Sequence, residues 1–74
     1  MRKLCILGST GSIGVSTLEV VRLHPTLFSV ESLSANTRVD EMLAQCLEFK
    51  PSTVVMVAEH AAQALKVKLD QNGL

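Results

Sequence analysis

Hydrophobic positions along this chain follow two periods in turn. Short apolar runs over Lys3 to Leu7, Phe28 to Ser34 and Thr53 to Val57 have the length and the β-branched content of strands. After each of them the apolar positions recur at helical spacing, over Ser12 to Leu23, Arg38 to Phe49 and Glu59 to Gln71. The first helical segment offers Ile13, Thr17, Leu18, Val20 and Val21 to a sheet and turns Ser12, Ser16, Glu19 and Arg22 away from it. The second carries Val39, Met42, Leu43, Cys46 and Leu47 on one side, and the third Ala61, Ala62, Leu65 and Leu69. Punctuation agrees with these limits. His24-Pro25 stops the first helix, Pro51 returns the chain to an extended path, and Asn72-Gly73 is a second stop. Thr37-x-x-Asp40 marks the start of the second helix, where the Thr37 hydroxyl can cap first-turn N–H groups. The unbroken run Thr53 to Val57 reads as a strand covered on both faces.

The predicted order is therefore βαβαβα. Right-handed crossovers place the three strands in a parallel sheet of order 3-2-1, one half of a doubly wound, Rossmann-like α/β fold. Seventy-four residues make at most one small domain, and a chain of that length buries only about 60% of the surface its unfolded form exposes. Yet 47% of the residues are hydrophobic, with two Phe and no Trp or Tyr. So much aliphatic surface implies a covering partner, either more polypeptide or a second subunit. Seven basic residues balance seven acidic ones without a basic run, so neither nucleic acid nor an anionic membrane is an expected partner. The apolar stretch Leu4 to Leu7 is too short for a signal peptide, and no later segment has membrane-spanning length; a cytoplasmic location is expected. Cys5 and Cys46 lack a C-x-x-C spacing and are expected to be buried free thiols.

The chemistry concentrates where the first strand meets the first helix. LCILGSTGSIGVSTL places glycines at 8, 11 and 14, a G-x-x-G-x-x-G turn with strand before and helix after. Gly8 suits a tight exit from the strand, Gly11 a close approach of backbone to a pyrophosphate, and Gly14 close packing of the helix on the sheet. First-turn N–H groups and the positive end of the helix then form an anion site without a basic side chain. Ser9, Thr10 and Ser12 add hydroxyls that can bond phosphate oxygens or hold the turn itself. No Lys follows the glycines, which disfavours nucleoside triphosphate hydrolysis.

After the second strand, where an acidic residue would accept from a free ribose 2'-hydroxyl, stand Ala35-Asn36-Thr37-Arg38. Asn36 and Thr37 can donate hydrogen bonds and Arg38 can pair with a 2'-phosphate, so this turn favours NADPH over NADH. The alternative is that Thr37 only caps the helix and Arg38 is solvated. His24 and His60 have no partner at a useful spacing, and the acids are scattered, so no catalytic residue and no metal ligand is assigned within these residues.

The string LxILGSTGSIGxSTL, continued by Val20-Val21-Arg22, Pro25, Phe28-x-Val30, Leu33-x-Ala35 and Gln45-Cys46 to Pro51, closely resembles the N-terminus of the 1-deoxy-D-xylulose 5-phosphate reductoisomerases. That resemblance implies a fragment, residues 1–74, forming the N-terminal part of an NADP-binding domain, with catalytic and C-terminal domains outside it. It also implies an enzyme that uses NADPH and Mg2+ or Mn2+. Such an enzyme rearranges and reduces 1-deoxy-D-xylulose 5-phosphate, a small sugar phosphate, to 2-C-methyl-D-erythritol 4-phosphate in non-mevalonate isoprenoid biosynthesis. The full-length protein would be a homodimer, and this segment alone inactive. Carried over, Thr10, Gly11, Ser12 and Ile13 match the pyrophosphate-binding turn, to which the glycine reading adds Gly8, and Asn36, Thr37 and Arg38 match the 2'-phosphate end. Many members have Gly-Lys-Asn at the second position, so which side chain here holds the phosphate stays open. Two other readings compete: another NADP-dependent reductase such as a semialdehyde dehydrogenase, and a stand-alone nucleotide-binding module without catalysis.

Overall fold

A computed structural model describes residues 2–73. Strand and helix alternate as β1 (Arg2–Leu7), α1 (Ser12–Leu23), β2 (Phe28–Ala35), α2 (Val39–Phe49), β3 (Thr53–Met56) and α3 (Glu59–Gln71). Each boundary lies within one residue of the position that periodicity and punctuation predict. The strands form one parallel sheet in the order β1-β2-β3, which is the expected 3-2-1 arrangement named from the opposite edge. Parallel pairing forces a crossover between consecutive strands, and α1 and α2 supply it.

Because both crossovers run in the same direction across the sheet, their helices lie on the same face. The core is accordingly one cluster: Ile6, Val30, Leu33, Ala35 and Met56 from the sheet, Leu18 and Val21 from α1, Met42 and Cys46 from α2, Ala61 and Leu65 from α3. Leu33 on the central strand and Met42 above it are wholly buried. Strand alternation alone would not put both Val30 and Leu33 inside. A bulge does: Leu4 pairs with Val30 and Cys5 with Ser32, so Glu31 is the extra residue and the inward register resets after it.

Two expectations about the strands fail because one face of the sheet is open, and one about α1 fails because of how closely that helix packs. The second face of the sheet is open in these residues, so β3 is covered on one side only, with Thr53 and Val55 exposed while Met56 is buried. Cys5 alternates with buried Ile6 and is exposed, whereas Cys46 is buried as expected and burial pushes its thiol pKa up. Much of the aliphatic surplus noted in the composition sits on this face and on α1, with Leu7 83% and Val57 75% exposed, and the rest includes Leu47 of α2, expected on its apolar side, and Val67 of α3. On α1 the buried line is Gly14, Leu18 and Val21, while Ile13 and Val20 are exposed. A helix can lie this close only along a line that contains a residue without a side chain.

At the far end of the sheet from the glycine turn, Arg22 of α1 forms a two-pronged ion pair with Glu48 of α2, Nη2 to Oε1 being 2.8 Å, and lies over the Phe49 ring. Hydrogen bonding to Arg22 holds the Glu48 carboxyl below its ordinary range, and the same bond raises the Arg22 guanidinium. Both groups are exposed, so the pair fastens the C-terminal ends of two helices without carrying the fold. Among the described residues no helix is long and apolar enough to cross a membrane.

Candidate coenzyme site

The turn from β1 into α1 is shaped by its first and third glycines. Gly8 has a φ of +66°, the left-handed region that an L side chain rarely adopts, and this turns the chain off the strand end. Gly14 is required by space: a Cβ there would stand 2.3 Å from the Gly8 carbonyl oxygen and 2.6 Å from the Ser9 Cα. The helix start thus rests directly on the backbone it has just left. Gly11 differs from both. Its φ of −81° is open to any residue, and a Cβ would meet only the Gly8 carbonyl, at 3.4 Å. Among the described residues nothing demands a glycine at 11, and the missing side chain leaves free space above the turn.

Gly11 is the N-cap of α1 and offers no side-chain cap; its own N–H donates to the Gly8 carbonyl at 3.0 Å. The first-turn N–H groups of Ser12, Ile13 and Gly14 have no carbonyl within the helix to bond, because a helix pairs each N–H with the residue four back. No acidic residue stands in that turn. Uncapped donors, the positive helix end and a side-chain-free N-cap together make a site for an anion. Ser12 and Ile13 are exposed there, and Thr10 is half-buried. Ser9 belongs elsewhere: its side chain is fully buried, with Oγ 3.9 Å from the Met42 sulfur, so its hydroxyl holds the turn and does not face a ligand.

Asn36, Thr37 and Arg38 follow the C-terminal end of β2, beside the strand whose end carries the glycine turn. Both turns therefore open on the same edge of the sheet, the edge at which parallel α/β folds take their ligands. All three residues are exposed. The expected Thr37 cap is not made: the N-cap of α2 is Arg38, with no side-chain cap bond, and its carbonyl instead receives the Met42 N–H at 3.1 Å. Thr37 lies one residue too early, and its hydroxyl is left for another partner. The turn is anchored by backbone alone, through the Ala58 N–H on the Asn36 carbonyl at 3.3 Å. His24 is exposed at the C-terminal end of α1, away from both turns; His60 is exposed in the first turn of α3, two residues after the Ala58 that bonds Asn36, and among the described residues no group of three or more His, Cys, Asp or Glu comes together to hold a metal.

One contact at this site has no signature in the spacing. Gln45, halfway along α2, donates from Nε2 to the Ser9 carbonyl at 2.8 Å. The two residues are 36 apart in sequence, and only the packing of α2 over the turn brings them together.

A parallel three-stranded sheet with crossover helices on one face, entered through a glycine turn whose helix start is left uncapped, is a Rossmann-like α/β half-fold. The family model of 1-deoxy-D-xylulose 5-phosphate reductoisomerase matches residues 4–74. The chain belongs to that family. It is 61% identical over 69 residues to the 1-deoxy-D-xylulose 5-phosphate reductoisomerase of Colwellia psychrerythraea, an overlap that covers 93% of this chain and 17% of the relative. The enzyme of the same name from Janthinobacterium sp. (strain Marseille) is 49% identical over 74 residues, all of this chain and 19% of its own. The chain thus spans less than a fifth of these relatives' length. Among solved structures, DOX-P reductoisomerase in complex with NADPH, fosmidomycin and magnesium superposes with a TM-score of 0.91 at 40% identity, covering 100% of this chain and 18% of the other. The magnesium complex of DOX-P reductoisomerase gives 0.92 with the same identity and coverage.

Proposed function

We propose that residues 1–74 are the N-terminal part of the NADPH-binding domain of a 1-deoxy-D-xylulose 5-phosphate reductoisomerase. Gly8, Thr10, Gly11, Ser12 and Ile13 take the coenzyme pyrophosphate on backbone donors and the helix end. Asn36, Thr37 and Arg38 take the 2'-phosphate, Arg38 by charge and the other two by hydrogen bonds. The observation that carries this reading is Gly11, whose conformation and neighbours would admit a side chain and which stands as the N-cap of a helix start with no side-chain cap. A related solved structure that holds NADPH supports it.

The whole protein would reduce and rearrange 1-deoxy-D-xylulose 5-phosphate to 2-C-methyl-D-erythritol 4-phosphate, with Mg2+ or Mn2+ held by residues outside this segment. It would act in the cytoplasm as a homodimer, with no nucleic acid or membrane partner. Family membership favours neither a semialdehyde dehydrogenase nor a stand-alone binding module. The test is turnover by the purified full-length protein. NADPH oxidation should require both the sugar phosphate and the divalent cation, and NADH should substitute poorly. No oxidation with 1-deoxy-D-xylulose 5-phosphate, with the cation present, refutes the proposal.

A further inference from the structure

Ser9 is the buried polar residue of the glycine turn, and both of its backbone groups are held by other elements. Its N–H donates to the Ser34 carbonyl of β2 at 2.9 Å, and its carbonyl receives Gln45 Nε2 of α2 at 2.8 Å. The peptide from Ser9 to Thr10 is planar and trans, so its C=O and N–H point in opposite directions. Fixing the Ser9 oxygen towards α2 therefore aims the Thr10 N–H away from α2. We propose that Gln45 is a positioning residue for the coenzyme: by holding the Ser9 carbonyl it keeps a donor, not an acceptor, turned towards the pyrophosphate. This rests on the assignment of the glycine turn as the pyrophosphate site.

The alternative state of this peptide is specific. Without the amide donor the Ser9 carbonyl is a buried acceptor with nothing to accept, a condition relieved by flipping the peptide so that oxygen turns outward. A carbonyl oxygen in place of an N–H beside a pyrophosphate repels it. The other end of the Gln45 amide supports a dedicated role. Oε1 is buried with no hydrogen-bond partner among the described residues, so the amide contributes to this site only through its Nε2 bond. An apolar side chain of the same length would leave no orphaned oxygen there.

The experiment uses the full-length enzyme with Gln45→Met, which keeps the length and removes the donor, beside Gly11→Val, which tests the pyrophosphate assignment alone. Gln45→Met should raise the KM and Kd for NADPH roughly tenfold, the effect of one lost donor. The kcat at saturating coenzyme and the KM for the sugar phosphate should stay within about twofold, and a structure of the variant should show the Ser9–Thr10 peptide turned over. Unchanged NADPH affinity in Gln45→Met, when Gly11→Val binds weakly, overturns the role of Gln45 and leaves the coenzyme site standing. Unchanged affinity in both variants overturns the site and the proposal together. A parallel loss of kcat and of affinity for both substrates marks general damage and also overturns it. Should Gln45→Met not fold, Gln45→Leu, which also removes the donor and brings no charge, is read in the same assay by the same criteria.

Discussion

The two β–α turns at the ligand edge of the sheet are built in opposite ways. The glycine turn is held from every side: Gly8 in the left-handed region, Gly14 against its backbone, Ser9 buried and bonded to β2 and α2. The turn of Asn36, Thr37 and Arg38 is exposed, and its side chains make no cap bond to the helix they precede. Rigid backbone suits a pyrophosphate, which every dinucleotide presents in the same form. Free side chains suit the 2'-position, where one coenzyme differs from another. A preformed turn binds without an ordering cost, whereas a long Arg side chain must be ordered by the phosphate it holds. Affinity common to both coenzymes should therefore reside in the first turn and discrimination in the second.

The largest effect should come from damaging the rigid turn. Gly14→Ala puts a Cβ 2.3 Å from the Gly8 oxygen, and neither backbone can withdraw without lifting α1 off the sheet. A loss of about 3 kcal/mol of stability is expected, read as a lower urea midpoint for full-length protein. An unchanged midpoint would mean that the turn is not tightly packed.

Next comes the exposed turn, where folding should be untouched and only coenzyme choice should move. Arg38→Ala should cost about 1.5–3 kcal/mol of NADPH binding and leave NADH nearly unchanged, with a penalty that shrinks as salt rises. The NADPH over NADH preference then falls roughly ten- to a hundredfold. Asn36→Asp should act in the same direction by repelling the 2'-phosphate. If Arg38→Ala keeps the full preference, Asn36, Thr37 and backbone groups hold the phosphate.

Gly8→Ala sharpens the contrast from within the rigid turn, because a Cβ at Gly8 meets nothing within 4 Å and only the φ of +66° opposes it. The cost should be about 1–2 kcal/mol, pure backbone strain. Thermal unfolding of the variant measures it, and a loss as large as that of Gly14→Ala would contradict this separation of strain from collision.

Smallest of all is the far end of the sheet, where neither turn is involved. The Glu48 carboxyl is lowered by Arg22, so its contribution is present above the ordinary Glu range, about 4.3, and is lost as pH falls through the lower folded value. Glu48→Gln should flatten that acid limb of the stability profile and leave coenzyme binding alone. A changed NADPH affinity would show that the two ends of the sheet are coupled.

The elements were legible because each combines a clear period with a stop signal, such as His24-Pro25 or Asn72-Gly73. Side-chain placement was less so. Hydrophobicity favoured Ile13 and Val20 for the buried side of α1, but closeness is decided by Gly14, which has no hydrophobicity to register. The run Thr53 to Val57 reads alike whether one face or two are covered, and Cys5 was misplaced on the same ground. The glycine turn was legible because its three residues lie close in sequence. Gln45 was not, since its bond to Ser9 depends on the placement of a whole helix.

The division of labour between the turns is tested most directly by titrating NADPH and NADH calorimetrically into full-length Gly11→Val. A side chain at Gly11 should intrude on the pyrophosphate that both coenzymes share, so both should weaken by a similar factor, with the fold intact. Unchanged affinity for either coenzyme, or a loss confined to NADPH, would contradict the assignment of pyrophosphate to the rigid turn and discrimination to the exposed one.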